Sequence, residues 1–208
     1  MAKKILVYGG SFDPPHIGHM WLLLQAMEFI QPDEVLIAPA WQSPLKKGHS
    51  AEYEDRREML RLALSDFMTA RRHDLIRIWD IERHHHFSYG RNKTYSYELI
   101  EDLTIPNVGN VVYFLAGSDV LERLHEWKQV KKFVYGCTLT IGIRPGTNVG
   151  VPADYPGQMI FLPQPTEGES STEVRRRLSV GEPVDGILTP SVMGHIARKK
   201  LYAVRERV

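Results

Sequence analysis

The stretch GGSFDPPHIGHM (residues 9–20) follows directly on the apolar, β-branched run KKILVYG (residues 3–9). The apolar run predicts a buried strand, and the spacing of apolar residues after Pro14 and Pro15 predicts a helix over residues 16–30. Proline suits the first turn of a helix, where free amides and the positive end of the dipole attract anions. We therefore expect a strand, a glycine turn and a helix that together bind a phosphate.

Two glycines and two histidines supply the chemistry predicted for this turn. Gly9 and Gly10 lack β-carbons, so a ligand can approach the backbone, and they permit dihedral angles closed to other residues. His16 and His19 share one helical face, and Gly18 keeps that face low enough for a nucleotide to lie across it. Imidazoles placed there can donate hydrogen bonds to phosphoryl oxygens. A phosphate nucleophile is already largely ionised at neutral pH and needs no general base, so catalysis would rest on alignment and charge stabilisation.

The rest of the chain alternates strand-like and helical patterns, which predicts an α/β fold. The strand-like runs are residues 3–9, 33–39, 75–81, 110–117, 137–143 and 158–163. Helical patterns cover residues 16–30, 54–67, 95–103, 119–134, 171–178 and 190–201. We expect a doubly wound, Rossmann-like parallel sheet in one domain over residues 1–208, with a C-terminal helical part from about residue 171. Loops over residues 40–50, 82–94 and 144–157 are expected to be exposed.

Composition narrows the classes of function. The 208 residues are 43% apolar and 25% charged, with a formal net charge of +1, so there is no overall field for nucleic acid or an anionic membrane. No apolar stretch is long enough to span a bilayer, and no signal peptide is recognisable, so a cytoplasmic location is expected by default. The single cysteine, Cys137, is interpreted as a buried structural thiol. A homo-oligomer is left open.

A second candidate site lies near the other end of the chain, in ESSTEVRRRLSVGEP (residues 169–183). Ser170 and Glu173 have capping-box spacing and predict a helix that ends near Gly181. The amides and hydroxyls of Ser171 and Thr172, with Arg175 one turn on, would form a second anion-binding end. Alone, this pattern is typical of a well-capped, solvated helix. Together with the first motif, it can hold the two ends of a triphosphate, with Mg²⁺ neutralising the pyrophosphate that leaves.

These motifs resemble the nucleotidyltransferase superfamily, and GGSFDPPHIGHM with SSTEVR most resembles the bacterial nicotinate-nucleotide adenylyltransferase family. The likeness runs nearly the whole length of the chain. Thr94-Tyr95-Ser96 falls where that family has Ser-Tyr-Thr, residues 117–119 where it has Gly-x-Asp, and residues 144–146 where it has Arg-Pro-Gly. Trp127 matches a family tryptophan, and residues 190–202 resemble the family's C-terminal helix.

The resemblance implies transfer of AMP from ATP to nicotinate mononucleotide, giving deamido-NAD and pyrophosphate, with Mg²⁺ carried by the ATP phosphates. The catalytic residues implied are His16, His19 and Arg175. The ATP-binding residues implied are Gly9, Gly10, Ser11, Phe12, Gly18, Ser171 and Thr172. The residues implied for the mononucleotide are Lys46, Tyr95, Ser96, Gly117, Asp119, Trp127 and Arg144. Among these, Trp127 would stack on the pyridine ring, Asp119 would hold ribose hydroxyls, and Lys46 and Arg144 would meet phosphates.

Two departures from the family pattern concern the mononucleotide. Leu45 stands where the family has a histidine before its basic residue, so the phosphate contact there is weakened or supplied elsewhere. The segment with His84, His85 and His86 is longer than usual, which leaves the choice between nicotinate and nicotinamide mononucleotide open. We expect a solvated loop there rather than a zinc site, because neighbours on an extended chain point to opposite faces. Nicotinamide mononucleotide is therefore an alternative acceptor.

Other classes of protein remain to be weighed. Phosphopantetheine adenylyltransferases share the first motif but are typically shorter and lack the Trp127 and Arg-Pro-Gly pattern. Class I aminoacyl-tRNA synthetases share only the letters HIGH, without a KMSKS-like loop here. A nucleotide-sensing binding module is the non-enzymatic alternative, although it would not need His16, His19 and Arg175 together.

Overall fold

The computed structural model describes residues 2–42, 49–68, 70–105, 109–144, 150–152, 154–165, 168 and 170–203 of the chain. Its centre is a six-stranded sheet in which every neighbouring pair is parallel. The strands are β1 (Lys4–Gly10), β2 (Glu34–Pro39), β3 (Ile76–Ile78), β4 (Val111–Gly117), β5 (Thr138–Gly142) and β6 (Met159–Phe161). All six strands predicted from the sequence are confirmed.

The strand order β3-β2-β1-β4-β5-β6 makes the sheet doubly wound. The chain builds outward from β1 in one direction through β2 and β3, then crosses back to β4 and builds outward in the other. Such a reversal leaves a crevice at the carboxyl ends of the two strands where it occurs. The fold therefore places Gly9 and Gly10, at the end of β1, beside Gly117, at the end of β4.

Strand β1 shows why the sheet is covered on both faces. Leu6 and Tyr8 belong to one apolar cluster, whereas Ile5 and Val7 belong to a second cluster, and all four are buried. Alternate side chains of a strand point to opposite faces, so a continuously apolar strand is stable only between two layers. The apolar run before GGSFDPPHIGHM thus fixes β1 at the centre of the fold.

Helices cover both faces of the sheet. They are α1 (Ile17–Ile30), α2 (Tyr53–Phe67), α3 (Ala70–His73), α4 (Ile81–Tyr89), α5 (Ser96–Thr104), α6 (Val130–Gly136), α7 (Ser171–Val180) and α8 (Pro190–Lys199), with a 3₁₀ helix at Ser118–Glu126. Predicted helices at the positions of α1, α2, α5, α7 and α8 are confirmed. None of the helices in the described part of the chain combines the length and apolarity needed to cross a membrane.

Two predictions about helices were wrong. The helix expected over residues 119–134 is divided into the 3₁₀ helix and α6, because Gln129 between them is left-handed, with φ of 52°. The loop expected over residues 82–94 contains helix α4. Its buried stripe is made by Glu82 and His85, three residues apart, so a search for apolar periodicity missed it.

The C-terminal helices pack on the same core as β1. Val174 of α7, and Val192 and Ile196 of α8, are buried in the cluster that contains Leu6 and Tyr8. His195 Nε2 lies 3.0 Å from Asp55 Oδ1 on α2, which fixes the direction of α8. Cys137 is buried as predicted, and its thiol donates to a backbone carbonyl in α6. That residues 1–208 form one domain stays a prediction.

Arg56 is the largest fully buried side chain, and it joins the segments around β1. Its guanidinium donates to the carbonyl oxygens of Ser11 at 2.7 Å, Ala40 at 2.7 Å and Ala51 at 3.2 Å. A buried cation is tolerated only when its donors are used, and here they bind carbonyl oxygens of the turns that follow β1 and β2 and of the segment before α2. Arg56 therefore holds the turn after β1 against the turn after β2.

Replacing Arg56 by methionine should lower the free energy of unfolding by about 3 kcal/mol or more, because buried carbonyl oxygens lose their donors. Urea denaturation followed by circular dichroism would measure the change. Arg61→Met, on the exposed side of the same helix, removes only a surface ion pair with Glu58 and should cost less than about 1 kcal/mol. Equal losses in the two variants would contradict the role given to Arg56.

Candidate active site

A cleft of about 440 Å³ opens at the carboxyl ends of β1 and β4, where the doubly wound fold predicts it. This volume lies in the range of small-molecule sites. The predicted ATP residues that line it are Gly9, Gly10, Ser11, Phe12, Ser171 and Thr172. The predicted mononucleotide residues that line it are Tyr95, Ser96, Gly117, Asp119, Trp127 and Arg144.

The catalytic residues predicted from the sequence lie at one side of this cleft. His19 lines it, and a smaller adjoining hollow is lined by His16, Gly18, His19 and Arg144. Arg175 lies one helical turn behind Thr172, to which it is hydrogen-bonded. Lys46 and Leu45 lie outside the described residues, as do Pro145 and Gly146. The fold thus brings together side chains that are up to about 160 residues apart in the sequence.

The two glycines are needed for a reason other than the one expected. Both belong to the regular strand β1, and neither adopts a positive φ. A β-carbon at Gly10 would lie 2.9 Å from Cζ of Phe12, and one at Gly9 would lie 3.0 Å from Cζ of Phe114. The absent side chains therefore make room for two aromatic rings beside the cleft, and the expectation of special glycine dihedral angles was wrong.

Phe12 carries the backbone strain instead. Its φ is 47°, in the left-handed region that disfavours residues with a β-carbon, and its side chain is 1% exposed. The ring meets Tyr8 and His19 edge-on, with centroids 5.2 Å away in each case. Burial of a large ring against two others offsets the strained turn. Phe12 is thus a packing anchor that sets the position of His19.

Helix α1 begins one residue later than expected. His16 is the N-cap with extended backbone, so Pro15 precedes the helix and does not occupy its first turn. The amide of Ile17 donates to the carbonyl oxygen of Ile187 at 2.8 Å, so it does not face the cleft as a free donor. The expectation of an anion site built from all the first amides of α1 was therefore too broad.

The rings of His16 and His19 are in contact, with centroids 3.7 Å apart and planes tilted by 32°. The backbone amide of His16 donates to Nδ1 of His19 at 3.2 Å, so a neutral His19 carries its proton on Nε2. His16 is 2% exposed, and neither of its ring nitrogens has a partner among the described residues. Burial, aided by the positive charge of Arg144, lowers the pKa of His16 to about 3. The ring of His16 is therefore neutral at physiological pH.

The second motif docks directly on the first. Ser170 caps α7 by accepting from the amide of Glu173, as the sequence predicted. Ser171 Oγ donates to the carbonyl oxygen of Pro14 at 3.0 Å, and an Nη1 hydrogen of Arg175 bonds to the carbonyl oxygen of Asp13 at 2.6 Å. The first turn of α7 and the FDPPH turn thus form one wall of the cleft.

The other side of the cleft holds a charged pair. Arg144 Nε lies 3.6 Å from Asp119 Oδ1, although separate ligand contacts were predicted for the two residues. Gly117 permits this arrangement, because a β-carbon there would lie 2.5 Å from the same carboxylate oxygen. A ligand with both hydroxyl and phosphate groups could engage the carboxylate and the guanidinium side by side.

Aromatic rings make up the rest of this side. Trp127 lines the cleft and packs edge-on against Phe114 and Phe133, with centroids 6.0 and 5.1 Å away. Since neighbouring rings hold its edge, the indole is fixed in position and a face can meet a flat ligand. Tyr95 lies across the cleft with Lys128 Nζ 4.6 Å from its ring centroid.

Three polar residues of this region were assigned no role in the sequence analysis. Asp13 is a buried residue of the FDPPH turn, and Lys128 lines the cleft beside Tyr95. Glu82 also lines the cleft, accepts from the amide of Trp41 at 3.0 Å, and has a pKa raised to about 8 by burial. Only Asp13 was marked in advance, as a letter of the FDPPH string. Nothing in sequence spacing distinguishes Glu82 or Lys128 from other charged surface residues.

The three consecutive histidines lie on helix α4, so the argument from an extended chain was wrong. Each ring has different surroundings: His84 is exposed, His85 is buried against Asp102 and Thr94, and His86 stacks on Trp41 with centroids 4.5 Å apart. Within the residues that the structure describes, no group of three or more His, Cys, Asp or Glu side chains could hold a metal ion.

Comparisons with known proteins bear on this site. Residues 7–177 match the model of the cytidylyltransferase-like family. A probable nicotinate-nucleotide adenylyltransferase of Halalkalibacterium halodurans is 30% identical over 205 residues, which cover 98% of this chain and 93% of the relative. A protein of Staphylococcus saprophyticus with the same description is 29% identical, with 97% and 99% covered.

Solved structures agree in fold. A Plasmodium falciparum nicotinic acid mononucleotide adenylyltransferase complexed with NaAD superposes with a TM-score of 0.79 at 21% identity, over 96% of this chain and 97% of that one. The matched family model and the relatives of nearly equal length point to the same family, and the sheet order is consistent with its fold. The chain belongs to the cytidylyltransferase-like family, and within it to the nicotinate-nucleotide adenylyltransferases.

Proposed function

We propose that this protein is an enzyme that transfers AMP from ATP to nicotinate mononucleotide, giving deamido-NAD and pyrophosphate, a step of NAD biosynthesis. One observation carries the proposal. The contacting rings of His16 and His19 and the first turn of α7 meet at one cleft and its adjoining hollow, and the cleft also carries a fixed tryptophan and the pair of Asp119 and Arg144. The descriptions of the relatives point to the same activity.

The reaction is a displacement at the α-phosphorus of ATP. An oxygen of the acceptor's 5′-phosphate forms the new bond, and the bond from the α-phosphorus to the oxygen bridging to the β-phosphorus breaks. Pyrophosphate leaves with that electron pair, so no general base is needed. The enzyme's contribution is to align the two phosphates and to stabilise the charge that develops on the transferred group.

The two histidines fit this role as neutral donors. In a neutral imidazole one nitrogen carries hydrogen, and for His19 the amide of His16 assigns it to Nε2. Neither ring nitrogen of His16 has a hydrogen-bond partner among the described residues. A phosphoryl oxygen would accept a hydrogen bond from the protonated nitrogen of this neutral ring. Both rings would donate hydrogen bonds to the α-phosphate, and these hydrogen bonds would become stronger as negative charge develops on it.

The second motif, at the start of α7, would bind the β- and γ-phosphates that leave as pyrophosphate. The amides and hydroxyls of Ser171 and Thr172 and the guanidinium of Arg175 lie at the start of α7, where the dipole also favours anions. Mg²⁺ would enter on the phosphates of ATP and neutralise part of the charge on pyrophosphate. Since ATP is a substrate, we place the reaction in the cytoplasm.

The acceptor fits the opposite side of the cleft. A pyridine ring would lie on Trp127, the ribose hydroxyls would bond to Asp119, and the 5′-phosphate would meet Arg144. Lys46, outside the described residues, stays a sequence-based candidate for the same phosphate. Trp127 is the observation that favours a pyridine nucleotide over phosphopantetheine, which offers no flat ring. Nicotinamide mononucleotide has the same ring and is the second candidate acceptor.

Direct assay distinguishes these acceptors. The purified protein, with ATP and Mg²⁺, is incubated separately with nicotinate mononucleotide, nicotinamide mononucleotide and phosphopantetheine, and pyrophosphate and product mass are measured. We expect the highest kcat/KM with nicotinate mononucleotide. Turnover of phosphopantetheine alone, or of none of the three, would refute the proposed function.

His19→Ala should lower kcat by a hundredfold or more, equivalent to about 3 kcal/mol of transition-state stabilisation. Steady-state rates with saturating substrates would measure it, and the melting temperature should change little. His125→Ala, an exposed histidine on the 3₁₀ helix, is the matched control and should keep the wild-type rate. Near-normal turnover of His19→Ala would remove His19 from the proposed clamp.

Trp127→Leu should raise the KM for the mononucleotide about fivefold, because ring stacking contributes about 1 kcal/mol beyond area burial. The KM for ATP should stay within twofold, since Trp127 lies on the acceptor side. Trp21→Leu changes an exposed tryptophan on α1 and should alter neither constant. A rise in the KM for ATP equal to that for the acceptor would show that Trp127 supports the fold rather than the pyridine ring.

A further inference from the structure

A hydrogen-bonded chain leads from the exposed carboxylate of Asp102 on helix α5, through buried His85, to the wall of the cleft. Asp102 Oδ2 lies 3.0 Å from Nε2 of His85, and Nδ1 of His85 lies 3.3 Å from the hydroxyl of Thr94. His85 is 4% exposed and Thr94 is 3% exposed, yet Thr94 lines the cleft beside Tyr95. A titratable ring is thus connected to a hydroxyl at the predicted pyridine pocket.

The charge state of His85 decides which way this hydroxyl is used. In the neutral ring, the carboxylate of Asp102 takes the Nε2 hydrogen, so Nδ1 is an acceptor and Thr94 must donate to it. Only the lone pairs of the hydroxyl oxygen then remain for a ligand. In the protonated ring, Nδ1 donates to Thr94, and the hydroxyl hydrogen is released to donate elsewhere. One proton on His85 therefore reverses the polarity of Thr94.

The two candidate acceptors differ in this same property. The ring substituent of nicotinate mononucleotide is a carboxylate, which only accepts hydrogen bonds. That of nicotinamide mononucleotide is a carboxamide, which also offers two hydrogens. A hydroxyl that can only accept suits the amide and opposes the carboxylate, whereas a hydroxyl that donates suits the carboxylate.

We propose that His85, held by Asp102, is a positioning residue that sets the hydrogen-bond polarity of Thr94 and thereby the choice between carboxylate and carboxamide acceptors. This inference rests on the proposed function and names the determinant of its substrate class. No covalent step involves either residue. Thr94 meets the ring substituent, and His85 acts only through Thr94.

Among the described residues, Glu98, Arg91 and His85 carry the charges that act on Asp102. On α5, Glu98 raises the pKa of the Asp102 carboxyl, while His85 and Arg91 lower it, and burial is the largest cause of its net rise. Arg91 also pairs with Glu98 at 2.7 Å, so the two partly cancel. On α4 itself, the rings of His84 and Tyr89 lie 6.4 and 5.9 Å from that of His85.

The test compares the two acceptors with each other as pH changes. The ratio of kcat/KM for nicotinate mononucleotide to that for nicotinamide mononucleotide is measured from pH 6 to pH 9. Groups that both reactions share, including the acceptor 5′-phosphate and the ATP site, cancel in this ratio. We expect the ratio to fall at least about tenfold as the pH rises, since one charge-assisted hydrogen bond is at stake.

Matched variants assign the effect. In His85→Gln and in Thr94→Val the ratio should no longer depend on pH, whereas Thr94→Ser, which keeps the hydroxyl, should behave like the wild type. His84→Gln makes the same change at the exposed neighbouring histidine and should leave the profile unchanged. A wild-type ratio independent of pH, or a His85→Gln profile that follows the wild type, would overturn the inference while leaving the proposed function intact.

Proton uptake gives a second readout that does not depend on the variants folding. Calorimetric titration of the wild-type protein in buffers of different ionisation enthalpy should show more protons taken up with nicotinate than with nicotinamide mononucleotide, near pH 7.5. Equal uptake with both would overturn the inference. Absence of turnover with either acceptor would instead remove the proposed function, and the inference with it.

Discussion

The carboxylate of Asp13 is the interaction on which the site depends. It is 4% exposed and accepts hydrogen bonds from the amides of Ser50 and Ala51 at 2.7 and 3.2 Å and from the hydroxyl of Tyr202 at 2.7 Å. Its backbone oxygen accepts from Arg175. A buried carboxylate is stable only when its oxygens are satisfied, so the segments that supply these donors are fixed relative to one another.

This convergence explains how the cleft is closed around the FDPPH turn. Partners of Asp13 lie 37 to 189 residues away along the chain, in the segment before α2, in α7 and after α8. Arg56 complements it from α2, and Asp13 opposes the fall in the pKa of that guanidinium caused by burial. The Asp13 carboxylate and the Arg56 guanidinium make hydrogen bonds on either side of Phe12, because Arg56 binds the carbonyl oxygen of Ser11. These contacts hold the strained backbone at Phe12 from both sides.

The sequence predicted the sheet well because buried parallel strands leave an unambiguous pattern, as the apolar, β-branched residues of β1 show. It predicted the two motifs because their spacing carries direct geometric meaning. It failed at α4, where Glu82 and His85 replace apolar residues on the buried stripe, and at Gln129, whose left-handed backbone has no signal in residue type. The partners of Asp13 are set by the tertiary fold, so no local pattern could reveal them.

The electrostatics of the cleft depend on a buried neutral histidine and on a permanent cation next to it. Burial makes His16 a neutral ring with two unpaired nitrogens, which costs free energy in the free enzyme. The permanent positive charge of Arg144 lies beside this ring and further disfavours its protonation. In the function that we propose, a phosphate entering the cleft would meet the neutral ring of His16 with the cation of Arg144 beside it. Because its binding would supply a hydrogen bond that the described residues do not give to His16, we expect the site to favour an anion that reaches His16 over one that stays at the guanidinium group.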